Sequence, residues 1–408
     1  MSTALAEPTV RAGRGYVLGL TLANLGIMLA FYTPIQNLLP RLAEQADPTS
    51  KEAALAWITG VGAFAAIVAN PLAGAFSDRT AGRLGRRRPW ILAGTLLGAL
   101  ALVALTTQST VLGLAVLWGV AQSCVNAAYA GTTATIPDQV PVSQRGLVSG
   151  WVGLAQVLGV VLGVVLVSFV VTGLTAGVLL TAVLLLVLTL PFGFLLRDQR
   201  IDAAPALRIG EFVRGFWVSP RLHPDFGWAW ITRFLVMLGN AMATLYLLFF
   251  LQDAVGYPEP EQGQAILVVL YALGSIATAV MGGHLSDRSG RRKIYVIVST
   301  AVMAVAAVLL AFVPSFEVVM VAALILGLGY GVYLAVDQAL ITQVLPAAAD
   351  RGRDLGVINI ANSAPQVLAP VIAAPIVTGA GGYTTLYVLT AVITLASAVL
   401  VTRIRSVP

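Results

Sequence analysis

Residues 74–79 read Gly-Ala-Phe-Ser-Asp78-Arg79 and run on to Gly85-Arg86-Arg87-Arg88, while residues 283–288 read Gly-His284-Leu-Ser-Asp287-Arg288 and run on to Gly290-Arg291-Arg292-Lys293. The two passages stand 209 residues apart, and each lies between long apolar runs. A hydrophobic unit has therefore been written twice, with a short basic hairpin at the same place in each copy. The echo continues beyond the hairpins. Ile136-Pro137-Asp138, Arg145-Gly146 and Gln156-Val157-Leu158 return as Leu345-Pro346, Arg351-Gly352 and Gln366-Val367-Leu368 at nearly the same offset.

The composition says what solvates these units. With 58% hydrophobic residues, 10% charged residues and a mean hydropathy of +0.89, the chain has too little polar surface to cover a soluble globule of 408 residues. Its partner is the lipid bilayer. The single cysteine, Cys124, allows no intrachain disulfide, and with only two histidines, His223 and His284, no metal site is expected. A pI near 9.7 raises the question of nucleic acid, but the basic residues are scattered between apolar runs, which reports topology instead.

About twenty apolar residues cross a bilayer. Twelve such runs are expected, at 16–39, 55–77, 90–108, 111–133, 147–170, 174–196, 228–251, 263–285, 294–313, 316–341, 355–378 and 383–402. The fold class is therefore all-α and integral to the membrane, with twelve transmembrane helices in two parallel six-helix repeats. The halves are 1–196 and 228–408, joined by a polar linker at 197–227 in which residues 209–218 form either a short amphipathic helix or an irregular tether. With the N-terminus inside, every Lys and Arg except Arg41, Lys51 and Arg233 falls in a tail or an inner loop. The positive-inside rule thus predicts both termini and the linker in the cytoplasm of a cell with this protein in its inner, or plasma, membrane.

The duplicated Asp-Arg, Gly-Arg-Arg hairpin resembles the signature of the major facilitator superfamily. More narrowly, Ser77-Asp78-Arg79-Thr-Ala-Gly-Arg83-Leu-Gly85-Arg86-Arg87-Arg88-Pro89 is similar to the corresponding loop of sucrose transporters and of the glycoside, pentoside and hexuronide cation symporters. Asp337-Gln338-Ala-Leu, Leu345-Pro346 and Asn359-Ile-Ala-Asn362 through Pro365-Gln366 are similar to bacterial members of that group. The resemblance implies two six-helix halves that alternate access to a central site, a sugar as small-molecule substrate, and coupling to protons. In one respect the chain departs from the plant sucrose carriers. Trp118 is followed by Gly-Val-Ala121-Gln122-Ser-Cys-Val-Asn126, with no carboxylate, so proton coupling at that position does not carry over.

Candidate working residues fall into three sets. Asp78, Arg79, Arg86 and Arg87, with Asp287, Arg288, Arg291 and Arg292, are expected to form a conformational latch, the carboxylates accepting from backbone amides at helix ends or pairing with arginines. The alternative is that these arginines only fix topology. Apart from Glu317 at the outer start of its run, Asp337 is the one carboxylate inside an expected span, where a charge costs roughly 2.5–3.5 kcal/mol at mid-helix. It either carries the coupling proton or pairs with Arg233, expected about one turn into the seventh helix. The substrate is expected to meet Asn24, Tyr32, Gln36, Asn37, Gln122, Asn126, Tyr129, Gln156, Asn240, Tyr246, Asn359, Asn362 and Gln366. Amides and phenols suit a neutral polyhydroxylated ligand, because each hydroxyl both donates and accepts. The same residue types also bind helices to one another in membranes. Trp118 and Trp151 are placed either to stack on a sugar ring or to anchor at an interface, and Pro34, Pro365, Pro370 and Pro375 to kink their helices.

No Walker loop, nucleophile elbow, His-Glu-x-x-His helix or Cys-x-x-Cys pair occurs, so neither ATP-driven transport nor an enzyme is expected. A secondary carrier importing a neutral sugar or glycoside with protons, with no cofactor beyond the proton gradient and as a monomer, is the leading reading. A facilitator or exporter on the same fold is the second. A channel or sensor is the third, disfavoured by the duplicated latch and by the lack of a sizeable soluble domain.

Overall fold

The structure, a computed structural model, describes residues 8–198, 222–344, 351–379 and 381–406. Lipid offers backbone groups no hydrogen bonds, so apolar runs of this length close their own bonds as helices. Among the described residues there is no strand. The helices are α1 (Arg14–Ala46), α2 (Lys51–Ser77), α3 (Arg88–Leu105), α4 (Val111–Gln139), α5 (Val142–Val170) and α6 (Leu174–Leu195). In the second half they are α7 (Pro224–Leu245 with Leu247–Val255), α8 (Pro260–Ser289), α9 (Arg292–Phe312), α10 (Phe316–Val344), α11 (Arg351–Val377) and α12 (Gly382–Leu400). The chain divides into two compact units, Met1–Ala206 and Leu207–Pro408. Residues 209–218, for which a surface helix or a tether was in question, lie outside the described residues.

Packing repeats with the sequence. In the first unit α2 packs along α4, α3 along α4 and α6, and α1 along α5 and α6; in the second, α8 packs along α10, α9 along α10 and α12, and α7 along α11 and α12. Every pairing recurs six helices later. Close approach depends on glycine: a Cβ at Gly94 of α3 would lie 2.5 Å from the Cys124 carbonyl oxygen of α4, and one at Gly329 of α10 would lie 2.8 Å from the Ser299 carbonyl oxygen of α9. In the first unit Gly131 of α4 also faces α3, so that contact carries close-packed glycines on both helices.

Several helices depart from the expected runs. α4 reaches Gln139, because the polar end Ile136-Pro137-Asp138 continues helically beyond the apolar run, so Asp138 is a residue of its last turn. α7 starts at Pro224 rather than 228. Proline suits a first helical turn, and Asp225 beside it accepts from the Arg405 and Ser406 amides, tying the chain's end to the start of α7. Arg233 therefore sits more than two turns into its helix, not one. Near its far end α7 bends by 47° at Tyr246, which has φ −98° and ψ 15°. No proline is present there. The Thr244 hydroxyl donates to the Asn240 carbonyl one turn back, a bond that competes with the helix ladder, and a π-helical turn at Leu251–Val255 follows. Pro34 opens the π-helical turn Pro34–Leu38 in α1, whereas α11 stays helical through Pro365, Pro370 and Pro375.

Gly94→Ala is expected to cost about 1–3 kcal/mol, since the added methyl meets backbone that cannot turn away. Gly150→Ala on α5, whose Cβ would meet nothing within 4 Å, should be neutral or stabilising. Melting temperatures of the detergent-solubilised variants check the contrast; equal losses at both positions would contradict the packing described.

Candidate functional site

The first hairpin is a knot of charges. Gly85 turns the chain at φ 93°, a conformation open chiefly to glycine, and delivers Arg86 and Arg87 to the start of α3. Asp138 on the last turn of α4 accepts from Arg86 NH2 at 2.8 Å and from Arg87 Nε at 2.9 Å. Arg87 also reaches Asp78 Oδ1 at 2.5 Å and donates to Ser77 Oγ at 2.7 Å. The two carboxylates differ in setting: the Asp78 side chain is 54% exposed and that of Asp138 is 16% exposed. Burial works against the charge on Arg87, but the hydrogen bond and charge of Asp138, with Asp78 behind them, hold its guanidinium above the ordinary arginine range.

The capping of backbone amides foreseen for Asp78 belongs to another residue. Asp198, three residues beyond α6, accepts from the Arg87 and Arg88 amides at the start of α3, where unpaired donors and the helix dipole favour a carboxylate. Arg79, expected in the latch, instead donates to the Ala75 carbonyl of its own helix at 2.7 Å. Asp138 was visible in the repeated Ile-Pro-Asp passage, but nothing in the sequence tied it to arginines some fifty positions earlier. Asp198 carried no signal at all.

In the second unit Gly290 turns the hairpin at φ 66°, and Lys293 Nζ donates to the Ile404 carbonyl at 2.9 Å. A segment following the last helix thus ties to the start of the third in both units. Arg288 and Arg291 are exposed and Arg292 is half-buried; the Asp287 side chain lies outside the described residues.

The second unit also holds an ion pair away from solvent. Arg233 NH1 of α7 lies 2.6 Å from Asp337 Oδ2 of α10, with side-chain exposures of 3% and 4%. Arg233 Nε donates to Asn362 Oδ1 of α11 at 2.5 Å. One guanidinium therefore joins three helices. Breaking such a pair from one side strands a buried charge at a cost of about 3–5 kcal/mol.

The remaining polar residues are drawn into short networks. On α1, Asn24 is buried, its Nδ2 donating to the Leu20 carbonyl at 2.9 Å while Oδ1 has no hydrogen-bond partner among the described residues. Asn37, in the π-turn of α1, donates to Ser168 in the π-turn of α5 and accepts from Arg41, so it binds helices together. Tyr32 is exposed and Gln36 half-buried. Asn126 of α4 donates to Gln122 and accepts from Asn70 of α2, and Gln156 of α5 donates to the Tyr129 hydroxyl of α4 at 3.1 Å. In the second unit the Tyr271 hydroxyl of α8 donates to Asn240 Oδ1 at 3.1 Å, and the Tyr271 and Tyr330 rings lie 5.7 Å apart. Tyr246 is fully buried at the bend of α7, and Gln366 is exposed. The Asn359 side chain lies outside the described residues. Trp118 is 2% exposed, with its indole filling the space above Gly62, so it locks α2 to α4 rather than stacking on a ring or anchoring at an interface. Asn70, Tyr271 and Tyr330 escaped the sequence reading because hydroxyls and amides within apolar runs announce no partner.

The family profile of the Major Facilitator Superfamily matches residues 17–266 and 229–408, and the chain belongs to that superfamily. It is a multi-span membrane protein of that superfamily. An uncharacterized MFS-type transporter YfiU of Bacillus subtilis (strain 168) is 31% identical over 103 residues, 25% of this chain and 20% of that protein. The general alpha-glucoside permease of Schizosaccharomyces pombe (strain 972 / ATCC 24843) is 28% identical over 165 residues, 35% of this chain and 29% of that protein. The matched stretches thus span less than a third of either relative. Among solved structures, the nucleoside transporter NupG superposes with a TM-score of 0.77 at 13% identity, over 95% of this chain and 99% of that one. A POT family transporter in complex with a thioalcohol-conjugated peptide gives 0.75 at 13% identity over 96% of each chain. At that identity these two share the fold alone.

Asp138→Asn should destabilise the protein by about 1.5–3 kcal/mol, the worth of charged hydrogen bonds, because it serves two arginines. Asp78→Asn, at a more exposed pair, should cost less than about 1 kcal/mol. Melting of the two purified variants ranks them; a larger loss at Asp78 would relocate the centre of the cluster.

Proposed function

We propose that the protein is a secondary active transporter that moves a neutral sugar or glycoside by alternating access with proton symport. The observation that carries the sugar reading is the character of the polar groups in the spans. Apart from the Arg233–Asp337 pair, the candidate groups placed on helices are amides and phenols, several of them arranged as donor–acceptor pairs, such as Gln156 with Tyr129 and Asn240 with Tyr271. Such groups exchange their partners for sugar hydroxyls without stranding a charge. The partial likeness to an alpha-glucoside permease, and the resemblance of the first hairpin to sucrose carriers and glycoside symporters, support the same choice.

Proton coupling is assigned to Asp337. A carboxylate shut away with a single guanidinium has two stable states, ionised in the pair or protonated and released from it, and the switch between them moves one charge. The hairpin clusters act as the latch, holding one conformation and letting go in the other. No cofactor is required beyond the proton gradient. The protein works as a monomer of two six-helix halves, 1–196 and 228–408, joined by a cytoplasmic linker at 197–227. It resides in the inner, or plasma, membrane with both termini in the cytoplasm.

Uptake of a panel of radiolabelled sugars, with maltose and sucrose first, into proteoliposomes with and without an imposed pH gradient tests the reading. Accumulation of a sugar only with the gradient is expected; uptake that ignores the gradient would make the protein a uniporter. Asp337→Asn should abolish gradient-driven accumulation while sparing downhill exchange. The double change Arg233→Gln with Asp337→Asn separates coupling from simple pairing, because removal of both charges restores a structural pair but not a proton site. Recovery of accumulation in the double variant would transfer coupling elsewhere.

For orientation, a cysteine at Thr49 in a Cys124→Ser background should react with an impermeant thiol reagent on intact cells, and one at Arg83 should be protected. The opposite pattern would invert the topology.

A further inference from the structure

Asn362 has the credentials of a sugar ligand in the sequence, an amide within a span, yet its carboxamide oxygen is already committed to Arg233 Nε at 2.5 Å. A guanidinium presents its donors in a rigid planar fork, so engaging Nε on one partner fixes the direction of the others. With Nε held by α11, NH1 points at Asp337 of α10, 2.6 Å away. The two arms of the fork are unequal. The arm to Asp337 joins opposite charges, both buried; the arm to Asn362 joins a charge to a neutral, half-buried amide. The weaker arm opens first.

Where that arm is rooted matters as much. Asn362 stands three residues before Pro365, which has no N–H to give to the Ala361 carbonyl, and the ladder is interrupted again at Pro370 and Pro375. α11 has therefore lost backbone bonds at regular intervals beginning beside Asn362. A helix so interrupted bends more readily there than proline-free α10 or the stretch of α7 around Arg233. We propose that Asn362 is a positioning residue rather than a substrate ligand: it aims Arg233 at Asp337 and makes the pair depend on the bending of proline-interrupted α11. When α11 bends away, Arg233 loses its lateral support and its hold on Asp337 slackens; when α11 returns, the guanidinium is re-aimed.

This rests on the reading of the Arg233–Asp337 pair as part of the transport cycle, and its test has one arm that needs no substrate. In a thermal-melting cycle on the full-length protein in detergent, Asn362→Ala should lower the melting temperature alone. It should add nothing to the loss caused by Arg233→Gln, because its contribution passes through that guanidinium. Losses that simply add would overturn the proposal. Should Arg233→Gln not be recovered folded, Arg233→Lys replaces it, since a single ammonium does not hold both partners in a fork.

The second arm is uptake of radiolabelled maltose driven by an imposed pH gradient in proteoliposomes, the mode that depends on Asp337. Asn362→Ala should leave KM within twofold and reduce the maximal rate at least fivefold per folded molecule. A raised KM at unchanged rate would return Asn362 to the substrate, and an unchanged rate and KM would leave it a structural contact only; either overturns the proposal. If the unmodified protein fails to move maltose or any sugar of the panel, the sugar reading falls and the melting cycle alone decides the role of Asn362.

Discussion

A bilayer core supplies no hydrogen-bonding partner, and every other feature of the molecule follows from that scarcity. Backbone groups satisfy themselves within helices, so the apolar runs become helices and little else. Lipid is as apolar as leucine, so burying side chains gives helices no reason to adhere; shape and scarce polar contacts do it instead. That is why a Cβ at Gly94 or Gly329 would strike backbone, and why Asn37 on α1 meets Ser168 on α5. It is also why the charged pair deep in the second unit is closed on itself, with a neutral amide taking the Nε donor of Arg233.

The two units share a packing scheme but not a distribution of charge. Position 24 stands where 233 stands in the second copy, and position 128 where 337 stands. The first unit therefore has Asn24 and Ala128 where the second has Arg233 and Asp337. Asn24 is fully buried there, with an oxygen that finds no hydrogen bond among the described residues. At the hairpin end the asymmetry reverses. Asp138 and Asp198 draw Arg86, Arg87 and the start of α3 into one cluster in the first unit, while the second hairpin exposes Arg288 and Arg291. Duplication supplied one scaffold, and each half has since concentrated its charge at a different depth.

Much of this was legible in the residues. Hydropathy located the twelve helices among the described residues, and the repeated hairpins marked the two copies and resembled the signature of the superfamily. The extra turns at either end of the apolar runs were not legible, because Pro224-Asp225 and Ile136-Pro137-Asp138 are polar and join their helices through local capping and tertiary contacts. The bend at Tyr246 was likewise hidden, since Thr and Tyr are no breakers in themselves. Of the expected ligand residues, Tyr246 and Trp118 look alike on paper as aromatic groups in a span, and packing removed both from reach.

By itself, then, the sequence determined everything that depends on neighbours along the chain: which stretches are apolar enough to be helices, where the chain turns at Gly85 and Gly290, and that the pattern occurs twice. Tertiary structure alone decided which distant groups meet. The Arg87 guanidinium meets Asp78 and Asp138 and the Arg87 backbone amide meets Asp198, at very different separations in sequence, and nothing along the chain announces these partners. Arg233 finds Asp337 and Asn362 only because α7 packs beside α11 and close to α10. Hydropathy accumulates residue by residue and so can be read in order. An ion pair forms from direction and distance in space, and these exist only once the helices have packed.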